Sequence, residues 1–408
     1  MAHWPHRLLA KIPSSSAPLA LANIGAFGIQ GLFAVLLLGL FSPEQVAVYF
    51  VISQIAFFWN ALALAQSTTT LLANRHTDLH QATRQAFGKS VLRMVLMLPG
   101  AGLAIWLSKI QPSLTYLAWA LAIALSQMSW YLAQAYLLRT GTARQSALAR
   151  VLPPFIAAVL ASIGAWLQWQ GPILLMAALT GFTAGALWLK GAFTLRSPST
   201  HTSPSGIDRP STQKDDRSTL LRLSQTLIDG LFFTGLAIVW QNAYGPEHAG
   251  WLLTLMRLMG FIPSLVHTAW QQVVLANPEQ KQMRGLWVAM ASSGIVVCLG
   301  LLIDGLVHWH ILPTRWHGLT DYWLPMVIWH VGGCWAATFG HLSFAKGLAV
   351  KFAKLGITTQ LIGIGILITP WLSLPLGPMV HIHLLATANT VMTLILCALM
   401  LKAQPAAG

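Results

Sequence analysis

Arg257 is a single charge inside a long apolar stretch that opens at Gly245-Pro246-Glu247-His248-Ala249-Gly250 and runs to about Asn277. Counted from Pro246 at a rise of ~1.5 Å per residue, it lies about halfway through a ~30 Å hydrocarbon layer. A guanidinium at that depth costs at least ~2.5 kcal/mol, so it demands a partner, a wet cavity or an anionic ligand. Ser264, Thr268 and Gln271 follow at helical spacing and put four polar groups on one face. A cation flanked by neutral hydrogen-bonding groups is chemistry suited to phosphate oxygens.

Asp229 belongs to the preceding apolar stretch, which forms a hairpin with the one carrying Arg257. The two charges differ by roughly 9 Å in depth. Either they form a buried bridge that locks two helices, or the arginine stays available for an anionic substrate. His330 and His341 share one face of a later stretch. They lie about 16 Å apart along the helix, too far to share a metal, so they are interhelical hydrogen bonders or a lumen-facing, titrating pair. The first half of the chain is polar without charge. Gln30 with Asn23, Ser53 and Asn60 with Ser67, and Gln127 with Tyr131 and Gln134 each mark a helix face. Gathered around one axis, such groups would line a cleft able to hydrogen-bond sugar hydroxyls.

The elements that carry these residues follow from composition. The chain is 55% apolar and 8% charged, with mean hydropathy +0.63, against roughly 25% charged for a soluble domain. This is the composition of a polytopic all-α membrane protein. Twelve spans are expected: Ala17–Phe41, Val46–Ala73, Val91–Ser108, Leu114–Leu138, Val151–Trp169, Ile173–Phe193, Thr219–Ala243, Ala249–Ala276, Leu286–His308, Trp323–Lys346, Leu355–Leu374 and Pro378–Leu401. The fifth reads as opening on Pro153-Pro154, and Pro263 reads as a kink in the eighth. With these spans, 21 of 24 basic residues fall on one side, Lys109 and Arg315 on the other, and Arg257 in between. That bias makes the termini cytoplasmic and accounts for the net charge of +14 without nucleic acid.

Residues 197–218 are rich in Ser, Thr, Pro and charge and read as a cytoplasmic linker between two six-helix lobes, 1–196 and 219–408. Sliding the chain by 203 residues aligns Pro43-Glu44 with Pro246-Glu247, Gln54 with Arg257, Phe58 with Phe261, and Leu72-Ala73-Asn74 with Leu275-Ala276-Asn277. Equivalent helices six spans apart point the same way, so the lobes are expected to be parallel repeats. Enzyme chemistry is poorly represented. Gly88-Lys89-Ser90 has Thr83 where a phosphate loop needs glycine, and it follows no strand. His308, His310, His317, His381 and His383 lack acidic or cysteine ligands at a metal-binding spacing. No cofactor or metal is expected.

Leu38-Gly39-Leu40-Phe41-Ser42-Pro43-Glu44-Gln45-Val46-Ala47-Val48-Tyr49 resembles the turn after the first span in polysaccharide flippases of the multidrug/oligosaccharidyl-lipid/polysaccharide exporter superfamily. Tyr244-Gly245-Pro246-Glu247-His248-Ala249-Gly250 resembles its second copy. Ala47 stands where glycine is usual. The resemblance implies an O-antigen-type flippase of a bacterial inner membrane. It would move a polyprenyl-diphosphate-linked oligosaccharide to the periplasmic leaflet by alternating access, beside polysaccharide assembly proteins. The alternatives are the multidrug/cation antiporter branch of the same superfamily, which usually needs a lumen carboxylate in the first lobe, and a membrane glycan polymerase or ligase.

Overall fold

The computed structural model describes residues 17–65, 67–73, 78–169, 171–193, 216–276, 282–345, 348–372 and 376–402. They form sixteen α-helices and three short 3-10 turns. The helices are α1 (Ala17–Leu40), α2 (Pro43–Leu64), α3 (Ser67–Ala73), α4 (Leu79–Leu96), α5 (Leu98–Leu107), α6 (Ser113–Thr140), α7 (Ala143–Trp166), α8 (Ile173–Ala186), α9 (Lys190–Phe193), α10 (Asp216–Ala243), α11 (Gly245–Ala276), α12 (Gln282–His308), α13 (Leu319–Phe339), α14 (Leu342–Ala345), α15 (Ala349–Leu367) and α16 (Pro378–Lys402). Seven are individually long and apolar enough to cross a membrane, and the bent pair α4–α5 makes an eighth. With the more polar helices α6, α10 and α13 and the first helix α1, the order gives a polytopic fold of about twelve spans.

Local chemistry sets the helix ends. Ser42 and Gln45 form a capping box at the start of α2, with Pro43 in the first turn. Thr142 and Gln145 repeat it at α7, satisfying backbone donors that a helix start leaves free. Gly245 turns the chain from α10 into α11 at φ +88°, a conformation that strains any side chain with a Cβ.

Several spans depart from the boundaries expected from sequence, and for the second, third and fifth the structure shows the cause. The second breaks at Ala65, which is left-handed at φ 39°. Arg93 of α4 donates to the carbonyls of Ala63 and Leu64 at 3.2 and 3.4 Å, capping the end that the break exposes. Arg139 does the same for Leu71 at the end of α3, at 3.0 Å. The third span is longer than Val91–Ser108 and bends by 48° between α4 and α5. Pro99 lacks the N–H that would continue the ladder, and Trp59 Nε1 donates to the Met94 carbonyl at 2.9 Å on the near side of the bend. The fifth starts at Ala143 and runs through Pro153-Pro154 rather than opening on them.

The helices pack as two lobes with one pattern. In the first, α1 packs on α7, α7 on α8, α6 on α8 and α2 on α6. In the second, α10 packs on α15, α15 on α16, α13 on α16 and α11 on α13. Each pairing recurs six spans later, as parallel duplication requires. Between lobes, α2 meets α11 and α10, and α11 also meets α1. The two proline-containing turns meet there. A Cβ on Gly250 would fall 2.1 Å from the Pro43 carbonyl oxygen, so glycine permits this approach. Arg315 Nη2 donates to the Gly39 carbonyl at 2.9 Å, Trp316 Nε1 to Phe41 at 3.2 Å, and Asn242 Nδ2 to Leu107 at 2.8 Å. All four contacts cross the seam at the end of the bundle that carries these turns, called the turn end below.

Candidate functional site

Pro153-Pro154 builds one wall of the principal hollow. Pro153 supplies no N–H to the Ala149 carbonyl one helical turn earlier. Trp130 Nε1 of α6 takes that carbonyl at 2.6 Å. This fixes the indole against Tyr131 and Phe182, with ring centroids 5.0 and 5.3 Å away. Gly181 lets α8 approach closely, since a Cβ there would lie 2.5 Å from the Pro153 oxygen.

The result is a cavity of about 490 Å³ lined by α1, α2, α6, α7 and α8 of the first lobe and closed by α11 of the second, with Phe233 of α10 at its edge. Arg257 projects into it from α11. The guanidinium carbon lies 5.4 Å from the Phe50 ring centroid, a cation–π distance. Among the described residues Arg257 makes no ion pair, and no Asp or Glu lines the cavity. Glu44 lines a separate hollow of about 400 Å³ at the turn end of the first lobe.

Arg257, Ser264, Gln54 and Gln30 share this cavity with Ser53, Gln127 and Tyr131. Ser264 donates to the Gly260 carbonyl at 2.8 Å. Gln127 is 7% exposed, and its Oε1, like the Ser53 hydroxyl, has no hydrogen-bond partner. Buried polar atoms left unpaired in a cavity wall are groups that a ligand can satisfy. Asn60 is buried outside the cavity with Oδ1 unpaired. Asp229 lies outside its walls as well, and its carboxylate takes a hydrogen bond from Gln360 of α15. His330 is buried behind α11, with Nε2 donating to the Met256 carbonyl at 3.0 Å, and a Cβ on Gly260 would touch it at 3.1 Å. His341 is half-buried elsewhere on the second lobe. The side chains of Thr268 and Gln271, and residues 197–215 of the expected linker, lie outside the described residues.

Phe50, Trp130 and Phe182 belong to the walls without having been singled out from sequence. The signal available for Trp130 was the proline pair in α7, which frees a carbonyl for an indole N–H to take.

No family model matches the chain, and no curated protein matches it. Solved structures do. An inward-facing multidrug resistance MATE family transporter of the MOP superfamily aligns with TM-score 0.63 at 15% identity, covering 95% of this chain and 94% of its own. The lipid II flippase MurJ, in an inward closed conformation, aligns with TM-score 0.60 at 13% identity over 93% and 86%. A eukaryotic MATE transporter aligns with TM-score 0.54 at 13% identity over 96% and 94%. The chain therefore shares the all-helical fold of these transporters.

Proposed function

We propose that the protein is a flippase for a polyprenyl-diphosphate-linked oligosaccharide, taking it from the cytoplasmic to the periplasmic leaflet for surface polysaccharide synthesis. The observation that carries this reading is the unpaired Arg257 in a cavity free of carboxylates among the described residues. A diphosphate needs a cation with several directed donors. The attached sugars need neutral groups and aromatic faces, which Gln30, Ser53, Gln54, Gln127 and Trp130 supply around the same space. An organic cation would meet the Arg257 charge there and, among the described residues, no carboxylate to offset it. A lipid II flippase has a similar fold, which supports a lipid-linked cargo. The charge bias assigns the turn end to the periplasm. An inside-negative potential then favours outward movement of the anionic head by ~2.3 kcal/mol per charge per 100 mV.

The test is flipping of a fluorescent polyprenyl-diphosphate oligosaccharide in proteoliposomes. Arg257→Ala should lower the rate at least about tenfold, as expected for a lost charge-assisted hydrogen bond of ~1.5–3 kcal/mol. Arg257→Lys should keep part of it, as charge survives without the planar fork. Proton-driven uptake of an organic cation, with lipid flipping absent in wild type, would instead select the antiporter reading.

A further inference from the structure

At the turn end of the second lobe, His381 faces an oxygen on each side. Its Nε2 lies 3.0 Å from the Ile366 carbonyl of α15, and its Nδ1 lies 2.8 Å from the Tyr244 hydroxyl. That hydroxyl also lies 3.0 Å from the Leu376 carbonyl, in the connection between α15 and α16. Carbonyl oxygens only accept, so Nε2 carries a hydrogen in either charge state of the ring.

The single Tyr244 hydrogen cannot serve both remaining acceptors. With His381 neutral, Nδ1 is a lone pair that takes the Tyr244 hydrogen, and Leu376 receives none from it. With His381 protonated, Nδ1–H donates to the Tyr244 oxygen, the hydroxyl turns to Leu376, and all three bonds form together. The ring is 0% exposed, which costs a cation its hydration, and it stacks on Trp240 with centroids 4.8 Å apart, which offsets part of that cost. Among the described residues no carboxylate contacts it. The titratable groups facing it are Tyr244 from the turn and, behind Trp240, Tyr322 of α13. Asp321 and the Tyr322-bonded His248 lie one step further out. Burial pushes the Tyr244 hydroxyl up to about 12, so it stays a donor across neutral pH.

We propose that His381 is a proton-binding site which, when loaded, ties the α15–α16 connection at Leu376 to the α10–α11 turn through Tyr244. The proton comes from the aqueous phase at the turn end and rests on Nδ1, while the Tyr244 hydrogen moves only by rotation of its O–H. Tyr244 precedes Gly245, the start of α11, whose Gly250 packs on Pro43 of the other lobe. The site therefore stands directly behind the seam between lobes. None of this depends on the cargo.

The test uses the full chain in lipid nanodiscs. In ¹⁵N-histidine spectra, one ring should change from a singly protonated Nε2–H form in alkaline buffer to imidazolium in acid buffer, and that signal should vanish in His381→Gln. Amide exchange of residues 376–381, corrected for intrinsic pH dependence, should slow several-fold over the same range. In Tyr244→Phe the slowing should disappear and the His381 resonance should shift, which identifies the ring even where His381→Gln does not fold. A His381 ring that stays neutral at the acid end, or an exchange response equal in wild type and Tyr244→Phe, overturns the proposal.

Discussion

Gln127 shows how a site differs from a core at the level of one side chain. Its carbonyl oxygen is buried without a partner, which costs about 1–3 kcal/mol where no ligand satisfies it. Gln127→Leu keeps the volume and removes the unpaired group. It should raise the thermal unfolding midpoint in detergent or leave it unchanged, while lowering the flipping rate about tenfold. A loss of stability together with activity would make Gln127 a packing residue. The helical spacing of Gln127 and Tyr131 is visible in sequence, as is that of Arg257 and Ser264. What spacing cannot assign is which faces turn toward one another. Asn60 is as polar as Gln54 and about 1.7 turns away, yet one is sealed in packing and the other lines the lumen. Asp229 likewise takes its hydrogen bond from Gln360 of α15, a choice fixed by the α10–α15 packing and not by its distance from Arg257 along the chain.

At the scale of elements, the capping box at Ser42 and the basic-residue alternation are local signals, so spans and their order were legible. The breaks were not, because their causes lie on other helices. Nothing in the sequence around Ala65 ends a helix. The end is supported by Arg93, from the next span, on the Ala63 and Leu64 carbonyls. A proline pair is favoured in a first turn, so Pro153-Pro154 reads as a helix start. Trp130 of α6 makes their place inside α7 tolerable by taking the carbonyl that Pro153 leaves. Arg93→Met retains the aliphatic stem and removes both donors. It should lower stability by ~1–3 kcal/mol, read as a lower unfolding midpoint. Amides of residues 63–66 should exchange faster, and those of α15 should not. Uniform acceleration would mean that Arg93 stabilises the lobe in general and not the break.

For the whole molecule, the two lobes touch at the turn end through their duplicated turns, and one atom's clearance separates them at Gly250 and Pro43. Gly250→Ala places a methyl 2.1 Å from a backbone oxygen of the opposite lobe. Neither partner is a flexible side chain, so relief requires the lobes to part. The hydrogen bonds from Arg315, Trp316 and Asn242 resist that parting. Each is worth about 0.5–1.5 kcal/mol net, comparable to a modest steric insult, so the closed arrangement should lose population without the lobes unfolding. Spin labels at Gln111 and Ile311, exposed on the first and second lobes at this end, report the separation in a Cys298→Ser background. Gly250→Ala should lengthen or broaden the distance distribution, and Arg315→Ala added to it should move the distribution further in the same direction. An unchanged distribution in both variants would mean that these turns do not hold the lobes closed. The seam would then depend on α2 packing against α10 and α11 deeper in the bundle, where Phe58 lies within 2.2 Å of a Cβ placed on Gly230.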